Sequence, residues 1–436
     1  MNGLLAAAPP VAPRQSWINQ HAGLILLGLL ALGLALRLYF ASMPGYPGDI
    51  DGWSRMSALA VRFGYPHMYD PGIFNRDEGV YPPFYHVMLN AVGLIYRQFV
   101  SPTFALGTPE LNTLLKLFPI VCEMLLAATL YWGLGKTVDR RAALVAVAAF
   151  LLNPAILYTS AYWGMFGDAF YALCVVIALF ALQRERLLIA GAALAAGVFF
   201  KFQTVAFLPL IGWWLLRPLH WKRLLTFAVG FALATALIWL PYVLAGTLPN
   251  ALRALRNTVG LFPVLAANAH NVWWLYSGGD VWQSDVQPVL ADLSARTVGL
   301  LAFGAAHELV LFRSVALPQR FAAAAYIGFA FYMLSTEMHE NYLYPTVVLL
   351  VIAASAARRY APLAIVISVT ACFNMALHDV LIDPATWLPA GTLDSARMLN
   401  ATVNGAVFAA WTLSLLWDGA RQVRRLVVRN SARTTS

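Results

Sequence analysis

The sequence predicts an all-α polytopic membrane protein with about twelve transmembrane helices, organised as a single domain over residues 1–436. Of the 436 residues, 60% are hydrophobic and only 11% are charged, and the mean hydropathy is +0.67. Apolar runs long enough to cross a hydrocarbon core of about 30 Å recur along the chain, separated by short polar breaks. This composition is typical of an integral membrane protein, and no stretch has the composition of a separate soluble domain.

The apolar runs define the predicted helices. The first run follows Arg14 and lacks a small-residue cleavage site, so it is expected to be retained as a helix. The predicted helices cover residues 20–41, 113–134, 142–160, 168–182, 187–200, 203–216, 224–243, 295–312, 321–335, 343–357, 361–377 and 399–417. Cys122, Cys174 and Cys372 all lie in apolar runs, which favours packing roles over a disulfide framework.

The distribution of Lys and Arg predicts the orientation, because cytoplasmic loops retain these residues. One set of loops carries Lys136, Arg140, Arg141, Arg184, Arg186, Arg217, Lys222, Arg223, Arg313, Arg320, Arg358, Arg359 and a basic tail over 419–436. The short loops of the other set, 160–167 and 335–342, contain neither residue type. Both termini are therefore predicted to be cytoplasmic. The net charge of +9 follows from this orientation and requires no nucleic acid partner. The high Ala and Leu content, together with Arg in excess of Lys, is associated with a bacterial source, so the membrane is predicted to be a bacterial inner membrane.

Three longer segments lie on the predicted outer face, at 42–112, 244–294 and 378–398, and function is expected there. In the first, Trp53, Met56, Ala60 and Phe63 recur at helical spacing, which predicts an amphipathic helix in the membrane interface. Tyr81-Pro82-Pro83 then breaks the chain before an aromatic-rich segment over 84–99. The first segment is thus predicted to be a folded cap.

Charged residues at or within the apolar runs are the candidate functional groups. Asp49 and Asp51 follow the first span, where a carboxylate could act in group transfer at the membrane surface or cap the next helix. Lys201 lies among Phe199, Phe200 and Phe202, and an ionisable group in an apolar segment is a functional candidate. Arg37, near the outer end of the first helix, could bind a phosphate or extend to lipid headgroups.

Gly48-Asp49, Trp53, Gly64, Tyr69 and Tyr81-Pro82-Pro83 resemble the first external loop of the GT-C glycosyltransferases, polytopic enzymes that use polyprenyl-phosphate sugars. Further similar pieces follow in the family's order: Leu115-Lys116, Asn153-Pro154, Trp163-Gly164, Lys201 with Gln203 and Pro209, Asn268-Ala269-His270-Asn271-Val272-Trp273, and Met338-His339-Glu340-Asn341-Tyr342. The pattern is most similar to the mannosyl- and glucosyltransferases of this family. It departs from the family at Met165-Phe166-Gly167-Asp168, which replaces Gln-x-Asp, and at Asn341, where a basic residue is usual.

The resemblance implies transfer of a hexose, mannose or glucose, from a polyprenyl-phosphate-linked donor to a lipid-linked or cell-envelope glycan acceptor on the extracytoplasmic face. Phosphate is already a good leaving group, so one carboxylate suffices as general base, with inversion, and Asp49 is assigned that role. Arg37, Lys201 and His339 are expected near the phosphate. The expected substrate-binding residues are Asp51, Arg37, Tyr81, Trp163, Lys201, Asn268, His270, Asn271, His339 and Glu340.

Other interpretations of these residues remain open in the sequence. Asn268, His270 and Asn271 suit an interfacial aromatic belt as well as sugar binding, and Trp163 suits an interface anchor as well as a ligand wall. His339-Glu340 could be a solvated loop tip. A divalent metal there, with Glu337, is possible but has no recognised ligand spacing, so no cofactor is predicted. Lys116 and Glu123 are expected to make buried structural contacts.

A transporter or flippase of lipid-linked sugars is the competing function. Such a protein built by duplication should show paired halves with polar groups at the bilayer midplane. No repeat relates residues 1–220 to 221–436, and the ionisable candidates lie toward one face. An oligosaccharide polymerase or ligase of similar build would have neighbouring chemistry, and the sequence does not distinguish it well from the transferase. The predicted partners are therefore a lipid-linked sugar donor, a glycan acceptor and membrane lipids.

Overall fold

The structure is a computed structural model that describes residues 17–73, 81–217, 220–256, 260, 262–280, 282–311 and 317–434. The side chains of 317–319 and 419–434 are not described. Arg14, Arg313 and the side chains of the predicted basic tail, 419–436, therefore lie outside the described residues.

The described chain is predominantly helical. The α-helices are α1 (Trp17–Gln20), α2 (Ala22–Ala41), α3 (Pro47–Phe63), α4 (Pro83–Phe99), α5 (Pro109–Gly135), α6 (Arg140–Leu151), α7 (Pro154–Leu157), α8 (Asp168–Gln183), α9 (Leu187–Val198), α10 (Leu208–Leu215), α11 (Trp221–Leu244), α12 (Leu248–Arg256), α13 (Val272–Ser277), α14 (Ala295–Leu311), α15 (Leu317–Leu334), α16 (Tyr344–Ala356), α17 (Ala361–Ala376) and α18 (Leu393–Thr434). Short 3₁₀ turns occupy Tyr65–His67, Phe202–Phe207, Arg358–Tyr360 and Pro384–Thr386, and a π-helical turn occupies Tyr158–Trp163. An antiparallel hairpin joins β1 (Pro288–Leu290) and β2 (Leu293–Ser294).

Within the described residues, five helices are long and apolar enough to cross a membrane: Ala22–Ala41, Pro109–Gly135, Trp221–Leu244, Arg358–Ala376 and Leu393–Asp418. The pair formed by α6 and Pro154–Trp163, bent by 47°, adds a sixth if it is one span. Shorter apolar helices include α8, α9, α16, Phe202–Leu215 and Arg320–Leu334. The total of about twelve crossings stays a prediction, because these shorter helices reach across the bilayer only if tilted or joined.

The first outer segment folds as α3 and α4, which pack against each other. Trp53, Met56 and Ala60 of α3 share a buried core with Leu89 of α4, and Ser57 Oγ donates a 2.8 Å hydrogen bond to the Leu89 carbonyl. The apolar stripe read from the sequence is therefore covered by protein. Only its last member, Phe63, is exposed.

The connection between α15 and α16 joins two helices that are packed inside the protein. Both helices are apolar around their circumference, as expected for helices surrounded by others, and α16 contacts α6, α8, α15 and α17. Their connecting turn, 335–342, is consequently mostly buried, with Glu340 only 5% exposed. The interpretation of His339-Glu340 as a solvated loop tip is therefore wrong.

The second outer segment, 244–294, crosses this turn. Ala267 N donates to the Met338 carbonyl at 2.8 Å, and Glu337 N donates to the Val264 carbonyl at 3.1 Å. Just after the segment, the guanidinium of Arg296 in α14 binds both carboxylate oxygens of buried Asp285, each at 2.9 Å. These contacts place the second outer segment and the 335–342 turn side by side around the same cavity.

Candidate active site

A cavity of about 780 Å³ lies between the first outer segment, the second outer segment and the 335–342 turn. Its polar lining consists of Asp49, Asp168, Lys201, Gln203, Arg256, Arg296, Ser335, Thr336, Glu337, His339 and Asn341. Aromatic side chains cover one part of the wall, where Tyr81 stacks on Tyr85 with ring centroids 4.2 Å apart and Trp53 meets Tyr81 edge-on at 5.1 Å. The cavity therefore joins ionisable groups to an apolar surface, as ligand sites commonly do.

Asp49 lies in the first turn of α3. The residue preceding that helix is Tyr46, Pro47 is the first helical residue, and no side chain caps the end. The interpretation of Asp49 or Asp51 as the helix cap is therefore wrong. Asp49 instead lies near the positive end of the helix dipole, where a carboxylate is favoured. Asp51 is exposed and is not part of the described cavity lining.

The environment of Asp49 makes it a stronger base than an ordinary aspartate. Burial raises its pKa to about 6, opposed by a hydrogen bond from Trp163 and by the positive charge of Lys201. Trp163 Nε1 donates to Asp49 Oδ2 at 2.8 Å. In the described part of the chain, Oδ1 accepts no hydrogen bond. A carboxylate with such a pKa is still mostly ionised at neutral pH, and one of its oxygens is available to a ligand.

Lys201 is bound by Asp168, which Asn341 in turn holds, and both of these positions depart from the GT-C pattern. Its ammonium binds Asp168 Oδ1 at 2.7 Å, and Asn341 Nδ2 donates to Asp168 Oδ2 at 2.7 Å. The ammonium also lies 4.8 Å from the centre of the Tyr342 ring. Both oxygens of Asp168 are therefore occupied, while Lys201 still faces the cavity.

Glu337, His339 and Glu340 of the 335–342 turn all have shifted pKa values. Burial, reinforced by the charge of Lys201, lowers the pKa of His339 to about 4, so this imidazole is neutral at physiological pH and can offer a phosphate only a hydrogen bond. Burial raises the pKa of Glu340 to about 8, although Glu340 is not in the described cavity lining. Burial also raises the pKa of Glu337 to about 7, against the charge of Arg296, which binds it at 2.6 Å.

Arg37 lies away from the cavity. It is fully buried in α2, where Nε donates to Glu123 Oε2 at 2.5 Å and Nη1 donates to the carbonyls of Gly33 and Leu151 at 3.1 and 2.9 Å. Arg37 therefore lies outside the described cavity lining, and its fully buried guanidinium does not extend to lipid headgroups. Glu123 also accepts from the Tyr344 hydroxyl at 2.6 Å, and Lys116 donates to the Met43 carbonyl at 2.7 Å, which confirms the structural contacts expected of Glu123 and Lys116.

Asn268, His270 and Asn271 also lie outside the described cavity lining. Asn271 caps α13 by accepting from Trp273 N and Trp274 N at 3.0 and 3.1 Å. The three residues fasten the second outer segment to α15, α17 and α18: Asn271 donates to the Tyr332 carbonyl, Asn374 donates to the Asn268 carbonyl, and His270 meets both His378 and Asn400.

Trp163 contacts Asp49 but is only 1% exposed and is not in the cavity lining, so it lies behind the carboxylate. Tyr81, Lys201 and His339 do line the cavity, as expected of substrate-binding residues.

The sequence interpretation missed several lining residues, notably Arg256, Arg296 and Tyr85. The two arginines carried a signal, because they are basic residues on the face that the charge distribution predicts to be poor in Lys and Arg. No group of three or more His, Cys, Asp or Glu residues that could hold a metal ion occurs among the residues described.

The architecture is similar to solved structures of membrane proteins. ArnT from Cupriavidus metallidurans in the apo state superimposes with a TM-score of 0.50 at 16% identity, over 91% of this chain and 77% of that one. The chain has the GT-C fold. This confirms the GT-C architecture expected from the loop motifs, and the apolar helices agree with an integral membrane protein.

Two further matches are weaker. ArnT bound to undecaprenyl phosphate gives a TM-score of 0.49 at 15% identity, over 91% of this chain and 77% of that one. The archaeal oligosaccharyltransferase AglB from Archaeoglobus fulgidus, in complex with an inhibitory peptide and a dolichol-phosphate, gives 0.41 at 15% identity, over 92% of this chain and 56% of that one. No family model and no curated protein matches the sequence.

Proposed function

We propose that this protein is a membrane glycosyltransferase that moves a sugar from a polyprenyl-phosphate-linked donor to an acceptor hydroxyl, with Asp49 as general base. The observation that carries the proposal is the state of the three carboxylates in the described cavity lining. Both oxygens of Asp168 are bound, by Lys201 and Asn341, and Glu337 forms an ion pair with Arg296, whereas Asp49 accepts only the uncharged indole N–H of Trp163 and keeps Oδ1 available. Asp49 is therefore the carboxylate best placed to accept a proton from a ligand.

The reaction is a single displacement. The acceptor oxygen forms a bond to the anomeric carbon while Asp49 takes its proton, and the lipid phosphate leaves with the electrons of the broken carbon–oxygen bond. Attack opposite the leaving group inverts the anomeric configuration. Lys201, Arg256 and Arg296, the cations in the described lining, offset the charge that builds on the departing phosphate.

The sugar is a hexose, mannose or glucose, the acceptor is a lipid-linked or cell-envelope glycan, and no cofactor takes part. The termini are cytoplasmic and the cavity opens on the extracytoplasmic face, an orientation that the distribution of Lys and Arg supports. The membrane is a bacterial inner membrane.

The test is transfer from radiolabelled polyprenyl-phosphate hexoses and pentoses to membrane lipid extracts, with purified wild type, Asp49→Asn and Asp51→Asn. Asp49→Asn keeps the shape of the side chain but removes its basicity, so transfer should be lost while donor binding persists. Asp51→Asn is the matched control, because Asp51 is exposed on the same helix and outside the described lining. It should transfer at the wild-type rate.

Transfer by Asp49→Asn at the wild-type rate would remove Asp49 from the chemistry. Inactivity of the wild type with every donor, together with movement of lipid-linked sugar across reconstituted vesicles, would favour a flippase instead.

A further inference from the structure

Trp163 contacts the beginning of α3 through both its side chain and its backbone. Its indole N–H donates to Asp49 Oδ2 at 2.8 Å, and its carbonyl accepts from Tyr46 N at 2.9 Å. The indole ring also stacks on the Tyr46 ring, with centroids 4.3 Å apart and planes 8° from parallel. Because Tyr46 immediately precedes α3, these contacts fix the helix end and the carboxylate together.

The segment that carries Trp163 is itself anchored. Trp163 ends the π-helical turn Tyr158–Trp163, a type of turn often found at functional sites. Tyr158 at the start of this turn donates its hydroxyl to Asp379 Oδ2 at 2.5 Å, which ties the turn to the third outer segment. After the turn, Gly164 adopts φ +94°, and a Cβ there would lie 2.5 Å from Ile50 Cδ1 of α3. Close contact with α3 thus requires glycine at this position.

An indole N–H can only donate, so its bond to Asp49 favours the ionised carboxylate and fixes which oxygen is occupied. The remaining oxygen, Oδ1, is left for the acceptor hydroxyl. Trp163 does not form part of the cavity wall, because its side chain is only 1% exposed.

We infer that Trp163 is a positioning residue that holds Asp49 Oδ2 so that Oδ1 receives the acceptor proton. This inference rests on the proposed function for its catalytic consequence, while the hold on the carboxylate can be measured without any transfer. It replaces the expectation that Trp163 binds substrate.

Other titratable groups also face Asp49 and remain in place when the indole is changed. They are Lys201, Asp168, Glu340, Tyr46, Tyr81, Tyr85 and Tyr342. A change seen in a Trp163 variant that keeps the ring stack therefore reports the indole hydrogen bond.

The test compares wild type, Trp163→Phe and Trp273→Phe. Trp163→Phe retains an aromatic ring against Tyr46 but removes the N–H. Trp273→Phe is the matched control, because its buried indole donates to the Leu334 carbonyl at 2.8 Å instead of to a carboxylate.

In Trp163→Phe, kcat should fall about tenfold to a hundredfold, the range for losing a hydrogen bond to a charged group, with KM for the donor unchanged. The acid limb of the pH–rate profile should move up by about one pH unit, because the lost bond had favoured the ionised carboxylate. Trp273→Phe should leave the acid limb where it is in the wild type.

Infrared titration provides the readout that does not depend on transfer. The carboxylate band that disappears in Asp49→Asn identifies Asp49. The pH at the midpoint of this band's titration should rise in Trp163→Phe. The inference is overturned if neither the midpoint of the infrared titration nor the acid limb moves. It is also overturned if KM for the donor rises while the pH–rate profile does not shift. If the wild type transfers no sugar, the proposed function fails, and the infrared midpoint still decides whether Trp163 holds Asp49.

Discussion

Arg37→Met tests whether Arg37 is a structural ion-pair residue or a ligand for the donor phosphate. Arg37 and Glu123 are both fully buried, so removing the guanidinium leaves an uncompensated carboxylate in the protein interior. Breaking such a pair on one side costs about 3–5 kcal/mol. The carbonyl of Leu151, the last residue of α6, also loses its 2.9 Å hydrogen bond from Arg37.

The expected result is a loss of about 3–5 kcal/mol in the free energy of unfolding, measured by equilibrium unfolding of the detergent-solubilised protein. The matched control is the double variant Arg37→Met/Glu123→Leu. It should recover most of the loss, because replacing a buried ion pair by apolar residues of similar volume is often neutral.

The same variants should leave KM for the donor unchanged, since Arg37 does not line the cavity. A single variant within about 1 kcal/mol of wild type, combined with a donor KM raised tenfold or more, would refute the structural role and restore the phosphate-binding one.

Two further predictions concern the neighbourhood of Asp49. Asp168→Asn should lower the free energy of unfolding by about 3 kcal/mol, because Lys201 stays nearly buried without its counter-charge. Adding Lys201→Met should restore stability but not transfer, and recovery of transfer in that double variant would exclude Lys201 from phosphate binding. Gly164→Ala should lower both stability and kcat, because φ +94° disfavours a side chain and the new Cβ would meet Ile50. Gly52→Ala on α3, where a Cβ meets nothing within 4 Å, is the control, and equal effects of the two changes would contradict the close contact.

The sequence predicted the architecture more completely than the pairing of its polar groups. Helical spacing predicted α3, since burial of Trp53, Met56 and Ala60 follows directly from their periodicity. The order of the motifs led to the prediction that Asp49 and Lys201 are site residues, and both line the cavity.

Pairing depends on how separate helices pack, which local spacing does not contain. Arg37 near a helix end has the same sequence signature whether it reaches headgroups or binds Glu123, 86 residues away. The contact of Asn341 with Asp168 spans 173 residues and joins two positions that depart from the GT-C pattern. The π-helical turn that places Trp163 behind Asp49 likewise left no periodic signal.

The most direct test of Asp49 as the base is the pH dependence of kcat/KM for wild-type transfer, measured from about pH 4 to pH 8 beside Asp49→Asn. Since burial raises the pKa of Asp49 to about 6, protonation should remove the base as the pH falls through that value. With Asp49 as the base, we expect full activity above this pH, an acid limb centred near pH 6, and no transfer by Asp49→Asn at any pH. A profile that stays flat down to about pH 4, the ordinary range of an aspartate, or an acid limb that persists in Asp49→Asn, would contradict it.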